Sequence, residues 1–304
     1  KECRIRDYTG SWTAPLSSAT LTRDSFFYSR VQVCESTAGV LTDPRSSLCL
    51  RYPNGQYKPV GNLQKYSDRV RVAAFGYLND NNDTTQRYGG VLRAPMKYVG
   101  PRAYDSNFSL ISGTNAAQEW DPETGVFMTN PDGVTAPNSG AHSNRPNQPI
   151  SGVINYLNQF GRTNTFGQYK RRDPVGELYY ESLRYLQGLP PTLVGTSSTT
   201  NAMHGLTDPL RDGFPVVYAD YPAYTDPHPA STGTTDYSCF KNNIVGIGDV
   251  NANRDRYLPG NPSAVNGDLA RAANVAANEP DFYAWTRVVD GFETNTAVGY
   301  TDGK

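Results

Sequence analysis

The sequence lacks a strong excess of charge of either sign. Its 28 Lys and Arg residues nearly balance its 29 Asp and Glu residues, which leaves a formal net charge of -1 at pH 7. Domains that bind nucleic acid usually carry a strongly basic face. The longest basic run, at residues 170–172, is interpreted as a solvated turn before a helix. We therefore expect no nucleic-acid partner.

Long apolar runs are also missing. No stretch approaches the roughly 18 consecutive apolar residues that predict a transmembrane helix, and the N-terminus has no signal-peptide pattern. We therefore expect no membrane span within this sequence. The chain starts at Lys1 and ends at Lys304, and we interpret it as a piece of a longer protein.

Cysteine is scarce, with 4 residues among 304, which excludes a disulfide-dense scaffold. Cys34 and Cys49 flank a segment rich in Ser, Thr, Asp, Pro and Gly. Closing a loop of this length contributes about 3 kcal/mol in the chain-entropy model, so we predict a disulfide there and an extracytoplasmic location. Buried thiols in a cytosolic protein are the alternative. Cys3 and Cys239 could pair with each other or with cysteines outside this chain.

The usual catalytic motifs are missing as well. The sequence contains no nucleophile elbow, phosphate loop or dinucleotide fingerprint. Its three histidines, His142, His204 and His228, lie in loop-like segments without metal-ligand spacing. An enzyme is therefore the class of protein that we favour least, and we expect binding rather than catalysis.

Turn-forming and aromatic residues are abundant. The chain contains 28 Gly and 22 Pro residues at a mean hydropathy of -0.59, which indicates many turns and long surface connections. Aromatic residues make up 12% of the sequence, which argues against disorder. We predict a single domain over residues 1–304, with loop-rich insertions near 100–150 and 189–236.

Two neighbouring segments have strand patterns. In Arg69–Leu78 the apolar residues first alternate and then become continuous, as in a strand of a sheet covered on both faces. Residues 89–99 predict a partner strand. Pro95 lies within this partner and cannot donate to a ladder, so the strand must be at a sheet edge or contain a bulge.

Two segments have helical patterns. Residues 151–160 place Val153, Ile154, Leu157 and Phe160 at helical spacing. The second helix is predicted at 173–187, where Asp173 is the N-cap, Pro174 occupies the first helical position and Gly188 ends the helix. Its largely apolar stripe consists of Val175, Leu178, Tyr179, Ser182, Leu183 and Leu186.

The most informative segment is residues 240–249, an apolar run that ends on a carboxylate. It predicts a buried strand that delivers Asp249 to a sheet edge, where α/β folds keep their sites. The order strand, strand, helix, strand, helix favours an α/β fold.

The residues after this run have oxygen-bearing side chains at every second position: Asp249, Asn251, Asn253 and Asp255. This spacing is like the front of a calcium loop. Arg254 stands where such a loop needs glycine, and Gly260 stands in place of the final glutamate. We predict a partial site for Ca²⁺ or Mg²⁺, with a hydrogen-bonded turn as the alternative.

Polar aromatic residues form a second candidate site, because they offer an apolar face beside hydrogen-bonding groups. Glu119–Asp121 and the tyrosine-rich segment at 218–224 could stack on sugar rings through Trp120, Tyr218, Tyr221 and Tyr224. The alternative is that these aromatic side chains seal loops against the core.

Several strings together resemble one known family. They are Val33–Ser36, Tyr57–Gly61, Arg69–Asp80, Gly89–Arg93, Met96–Gly100, Asp173–Tyr180 and Leu186–Gly188. The sequence resembles the PilC/PilY-type adhesins found at the tips of bacterial type IV pili, over most of its length, and is most similar to the region before their C-terminal β-propeller. The resemblance implies an extracellular protein at the pilus tip or cell surface, exported through the periplasm.

The resemblance also implies a fold. It predicts a von Willebrand factor A-like open sheet flanked by helices, with a divalent metal at the carboxyl edge. Asp249 matches the third metal motif and Asp173 is the nearest candidate for the second, whereas the first motif is absent from this chain. The alternative is an α+β, C-type lectin-like arrangement.

The implied function is an adhesion or interaction module that serves surface attachment and pilus biogenesis. Its expected partners are pilus components such as minor pilins, and a host surface, mineral surface or glycan. A carbohydrate-binding, lectin-like module of the same adhesin and a structural spacer domain are the alternatives.

Overall fold

The computed structural model describes residues 2–3, 27–28, 33–42, 46–77, 90–105, 107–134, 149–161, 173–189, 214, 241–248, 258 and 288–293. The strands are β1 (Glu2–Cys3), β2 (Phe27–Tyr28), β3 (Ser36–Thr37), β4 (Val40–Leu41), β5 (Cys49–Arg51), β6 (Tyr57–Pro59), β7 (Val72–Tyr77), β8 (Gly90–Lys97), β9 (Arg102–Tyr104) and β10 (Leu110–Thr114). The helices are α1 (Asn62–Lys65), α2 (Val153–Gln159) and α3 (Val175–Leu186). A 3-10 turn at Ser46–Leu48 precedes β5, and residues 288–293 are also helical.

The described strands pair two at a time. Five antiparallel ribbons join β1 to β2, β3 to β4, β5 to β6, β7 to β8, and β9 to β10. None of the helices in the described segments is long and apolar enough to cross a membrane.

The β7–β8 ribbon is the centre of the described core. β7 confirms the strand predicted at 69–78, and β8 confirms its predicted partner. The register shifts between the pairs at Val72 and Ala74, so that Pro95 and Met96 together face one residue of β7. This bulge removes the need for a backbone donor at Pro95, and the prediction of an edge or a bulge is confirmed.

Helix α2 packs against both strands of this ribbon and confirms the helix predicted at 151–160. Val153, Ile154 and Tyr156 are buried, whereas Leu157 is exposed although the apolar spacing places it on the same face. The core that α2 completes consists of Tyr52, Ala74, Ala94, Val99, Trp120, Val153, Ile154, Tyr156 and Phe214.

Helix α3 packs mainly against β8 and confirms the helix predicted at 173–187, with Pro174 rather than Asp173 as its N-cap residue. The apolar stripe is not its buried face, because Tyr179 is exposed and the leucines of the stripe are only half-buried. The buried residues are Glu177, Tyr180, Glu181, Ser182, Arg184 and Tyr185.

The β-bulge gives a physical reason for this orientation of α3. A bulge leaves a backbone N–H without its ladder partner, and such a group needs an acceptor when it is buried. The hydroxyl of Tyr185 accepts the hydrogen bond from Met96 N at 2.9 Å. The ring of Tyr185 also packs edge-on against Phe75 of β7, so the tyrosine face of α3 meets the ribbon.

Two glycines allow both helices to approach the same end of the ribbon. A Cβ at Gly76 would lie 1.6 Å from Tyr156 Oη of α2, and a Cβ at Gly90 would lie 2.4 Å from Leu178 Cα of α3. Gly76 pairs with Val91 and Gly90 with the next residue of β7. Glycine avoids a clash at both positions, with a side chain at Gly76 and with backbone at Gly90.

Cys34 and Cys49 form the predicted disulfide, with 5.7 Å between their Cα atoms. The bond ties the segment before β3 to the first residue of β5, and this prediction is confirmed. Cys3 lies in β1, whereas Cys239 lies outside the described residues, so their pairing stays a prediction.

The prediction of a strand at 240–249 is wrong for residues 241–248, the part that the structure describes. Residues 241–248 have irregular backbone, and Val245 and Ile247 are 84% and 74% exposed. Gly246 and Gly248 supply no side chain to pack, and glycine weakens a strand interior. No described strand pairs with this segment.

The segment nevertheless ends beside the core. A Cβ at Gly248 would lie 2.9 Å from Val175 Cγ2, at the start of α3. The von Willebrand factor A-like open sheet and the single-domain division of residues 1–304 stay predictions, because the described ribbons do not test them.

The predicted insertion near 100–150 contains a ribbon that periodicity does not reveal. All residues of β10 are exposed, so the strand shows no alternation of buried and exposed positions. Aromatic contacts hold the ribbon, since Tyr98 stacks on Tyr104 with 4.0 Å between ring centroids. Arg71 lies 4.2 Å from the ring centroid of Phe108.

Candidate functional site

An open cleft of about 300 Å³ lies beside β5. Its walls come from β5 and the residues after it, from α1 and the following turn, from the start of β9, and from the turn at Trp120. Half of the lining residues are apolar or aromatic: Leu50, Tyr52, Pro53, Pro101, Trp120 and Pro122. The other half are polar or charged: Arg51, Gln64, Lys65, Ser67, Asp68 and Arg102.

Tyr52 and Trp120 form a buried floor, since each side chain is only 5% exposed. Gln64 of α1 fixes the hydroxyl of Tyr52. Its amide nitrogen donates to Tyr52 Oη at 3.2 Å, and its amide oxygen accepts from Gly61 N at 2.8 Å. Burial raises the pKa of Tyr52 above its ordinary value of 10.0, so the floor of the cleft carries no negative charge at neutral pH.

A tight turn places Trp120 in the wall. Trp120 pairs with Phe127 across the turn, and Asp121 Oδ1 accepts hydrogen bonds from Glu123 N at 2.9 Å and from both the backbone N and the hydroxyl of Thr124 at 2.7 and 3.0 Å. These bonds, chiefly those from Thr124, lower the pKa of Asp121 below its ordinary value of 3.8.

The rim of the cleft has more positive than negative charge. Arg102 Nη1 lies 3.2 Å from Asp68 Oδ2, and Lys65 Nζ donates to Ser47 O at 3.1 Å. The guanidinium of Arg51 forms no ion pair or hydrogen bond with any described residue. Because three cationic side chains and one carboxylate line the cleft, its electrostatics favour an anionic ligand.

A buried ionic network lies behind Trp120. Lys97 Nζ lies 3.0 Å from Glu119 Oε1 and also contacts Asp132 Oδ1. The side chains of Lys97, Glu119 and Asp132 are 13%, 0% and 7% exposed. Charges buried to this extent need partners, because their removal from water costs several kcal/mol per ion.

The same carboxylates satisfy the start of α2. Val153 N and Ile154 N donate to the two oxygens of Glu119 at 2.7 and 2.6 Å, and Gly152 N donates to Asp132 Oδ2 at 2.9 Å. These are backbone donors that a helix leaves unpaired in its first turn. The network therefore joins α2, β8 and the Trp120 turn, and its role is structural.

Sequence reasoning missed this role of Glu119, which it considered only with Trp120 as a sugar contact. One local feature of the sequence indicates that α2 needs an acceptor from outside the helix. The N-cap residue of α2 is Gly152, which has no side chain to cap the helix, so an acceptor must come from elsewhere in the chain. The sequence does not show which residue supplies it.

The structure places only some of the predicted site residues. Trp120 lines the cleft, and Asp173 is half-buried just before α3. The described residues contain no group of three or more His, Cys, Asp or Glu side chains that could hold a metal ion. The predicted cation ligands Asp249, Asn251, Asn253 and Asp255, and the predicted sugar contacts Tyr218, Tyr221 and Tyr224, lie outside the described residues.

Comparisons with known proteins give consistent matches. A family model for the second domain of PilY1 homologs matches residues 75–301. The chain is 40% identical over 237 residues to a protein of Xylella fastidiosa named type IV pilus biogenesis factor PilY1 homolog. The alignment covers 76% of this chain and 17% of that protein, so the chain spans a small part of its relative's length. No solved structure matches it.

Proposed function

This chain belongs to the PilY1-homolog family, through the second domain of that family, and from this premise we propose that it is an extracytoplasmic interaction module that takes part in type IV pilus biogenesis. The observation that carries the proposal is the 40% identity to a protein named as a pilus biogenesis factor. The whole protein would act at the pilus tip or cell surface in attachment, and its partners would be pilus components and the surface to which the pilus binds.

The disulfide supports export to such a location. Disulfides form and persist in oxidising compartments, such as the periplasm and the cell surface, and are rare in the cytosol. Cys34 and Cys49 join two short segments of mostly exposed residues. A covalent bond is an appropriate support where little apolar surface is buried.

The cleft supports binding as the molecular activity. It combines a rigid floor at Tyr52 and Trp120 with a polar rim, and sites with a few polar groups around an apolar surface are typical of ligand recognition. The predicted cation site at Asp249–Asp255 would be a second contact point of the same module.

A carbohydrate-binding module has less support at Trp120. A sugar ring stacks on an open aromatic face, and Trp120 is 5% exposed with its ring packed in the core. The glycan hypothesis therefore depends on Tyr218, Tyr221 and Tyr224. A structural spacer would need no ligand at the cleft.

The test of the proposal uses the full-length protein in the bacterium that encodes it. The deletion strain is complemented with the wild-type gene or with the double variant Arg51→Glu and Arg102→Glu, and sheared surface pili and attached cells are counted. We expect the deletion to abolish surface pili or attachment and the double variant to lower them about tenfold, the effect of roughly 1.4 kcal/mol in a binding step.

The matched control is Lys241→Glu, a charge reversal at an exposed residue that does not line the cleft. It should leave pili and attachment at wild-type levels, with equal amounts of protein at the cell surface. Normal pili and attachment in the deletion strain would overturn the pilus role. A double variant that complements fully would overturn the assignment to the cleft.

A further inference from the structure

We propose that the cleft beside β5 binds an extended, acidic peptide segment of a partner protein. The inference rests on the proposed function and adds the chemistry of the ligand. Three features support it: the charge of the cleft, the shape of its apolar surface and the outward-facing backbone of Arg51 in β5.

The charge of the cleft is opposite to that of the chain. The whole sequence has a formal net charge of -1, whereas the lining contains Arg51, Lys65 and Arg102 against the single carboxylate of Asp68. Asp68 is already paired with Arg102. Two positive charges are therefore left without a carboxylate in the lining, and a concave surface concentrates their field. Carboxylate groups are the ligand chemistry that this arrangement recognises.

The apolar part of the cleft suits aliphatic or proline side chains better than sugar rings. Leu50 is 45% exposed, and Pro53 and Pro122 are exposed at the rim. The buried rings of Tyr52 and Trp120 offer no open face for stacking. The volume of about 300 Å³ is at the lower end of ligand sites, which corresponds to a short stretch of peptide.

The strand along one wall favours an extended ligand. Tyr52 N donates to Gln56 O at 2.9 Å just beyond the β5–β6 pair, and hydrogen-bonded positions alternate along an antiparallel pair. The backbone N–H and C=O of Arg51 therefore point away from β6. No described strand pairs with β5 on this side, so an extended peptide can hydrogen-bond to the backbone of Arg51 while its side chains enter the cleft.

The test measures binding of a short fluorescent peptide of alternating glutamate and leucine to the 304-residue protein by fluorescence anisotropy. The matched probe replaces each glutamate with glutamine. We expect the acidic peptide to bind about tenfold more tightly than the neutral peptide at low salt, and this preference to shrink as salt is raised.

Two variants of opposite sign separate the proposal from loss of folding. Arg51→Glu should weaken binding of the acidic peptide about tenfold, whereas Asp68→Asn should tighten it about threefold because it removes the only carboxylate of the lining. Loss of the folded cleft would change the binding of both variants in the same direction, so changes of opposite sign cannot come from it. Lys241→Glu is the matched charge control and should bind as the wild type does.

Three results would overturn the inference. They are equal binding of the acidic and neutral peptides, identical affinities for all variants, and tighter binding of an acidic oligosaccharide such as oligogalacturonate than of the peptide. The outcome is independent of the cellular test. Peptide binding together with normal pili and attachment in the deletion strain would remove the proposed function alone, and loss of pili in the deletion strain without peptide binding by the purified protein would remove this inference alone.

Discussion

Helices α2 and α3 pack against the same β7–β8 ribbon, but they bury faces of different character. Helix α2 buries Val153, Ile154 and Tyr156, which are apolar or aromatic. Helix α3 buries the charged residues Glu177, Glu181 and Arg184 together with its tyrosines. Both segments have a helical pattern of apolar residues, so the pattern locates a helix without deciding which face is buried.

The two helices also differ in the described contacts that support them. The backbone donors of α2 are bonded to Glu119 and Asp132, two carboxylates from the segment at 119–132. Helix α3 meets the ribbon through Tyr185 Oη, which accepts from Met96 N, and through the backbone of Leu178 beside Gly90. Helix α2 thus depends on a distant segment of chain, whereas α3 depends on its contact with the backbone of the ribbon. Three sets of substitutions test this difference.

The largest effect is expected from Glu119→Ala. It removes the acceptor of Val153 N and Ile154 N, which are buried, and one partner of Lys97, whose side chain is 13% exposed. Breaking a buried ion pair by removing one partner costs about 3–5 kcal/mol, and we expect this loss in the free energy of unfolding measured with urea. Glu119→Gln keeps the volume and one acceptor oxygen, so its loss should be smaller. A Glu119→Ala protein as stable as the wild type would show that α2 does not depend on this segment.

A smaller effect is expected from alanine at the two ribbon glycines. Gly90→Ala would place its Cβ against the backbone of Leu178, and Gly76→Ala would place it against the side chain of Tyr156. Overpacking of this kind costs roughly 1–3 kcal/mol. The alanine at position 76 meets a side chain of α2, whereas the alanine at position 90 meets the backbone of α3. A double-mutant cycle therefore distinguishes the two contacts.

In this cycle, Tyr156→Ala should relieve most of the cost of Gly76→Ala, which appears as a favourable coupling energy in urea unfolding. Leu178→Ala should leave the cost of Gly90→Ala unchanged, because the close atoms belong to the backbone of α3. Equal coupling energies in both pairs would mean that the two helices adjust to the ribbon in the same way, which would contradict a difference between side-chain contact in α2 and backbone contact in α3.

The sequence was a good guide where one residue determines the local outcome. Pro95 cannot take part in a regular ladder, and a bulge lies there. Cys34 and Cys49 form the predicted bond. The apolar spacing at 151–160 and the proline at 174 located α2 and α3. The resemblance to PilC/PilY-type proteins is also confirmed at the level of the PilY1 family, because it rests on several strings of residues at once.

The sequence was a poor guide where distant residues decide the outcome. The bond between Val153 N and Glu119 joins residues 34 positions apart, and no local pattern reveals it. The apolar run at 241–248 contains enough Val and Ile for a strand, but its glycines and the lack of a described partner strand leave it exposed. At the candidate site, Trp120 was identified from its residue type, whereas its neighbours in the cleft come from three other segments of the chain.

The smallest effect is expected from Asp121→Asn, in the turn that lies between Glu119 and Asp132, the two residues that anchor α2. The pKa of Asp121 is lowered by its bonds to Thr124 and Glu123, so the unfolded chain binds the proton more readily than the folded protein. Its contribution to stability is therefore fully present above the ordinary pKa of 3.8 and is lost as the pH falls through the lower folded-state value.

The difference in unfolding free energy between wild type and Asp121→Asn should accordingly be constant at neutral pH and shrink as the pH falls from 3.8 through the lower folded-state pKa. Glu123→Gln removes the same charge from the same turn and is the control for a general charge effect, because the Glu123 side chain is exposed. Amide hydrogen exchange at low pH adds a local readout. If Asp121→Asn speeds amide exchange in α2 but not in α3, the turn stabilises α2 alone. Equal acceleration in both helices would show that both depend on this turn.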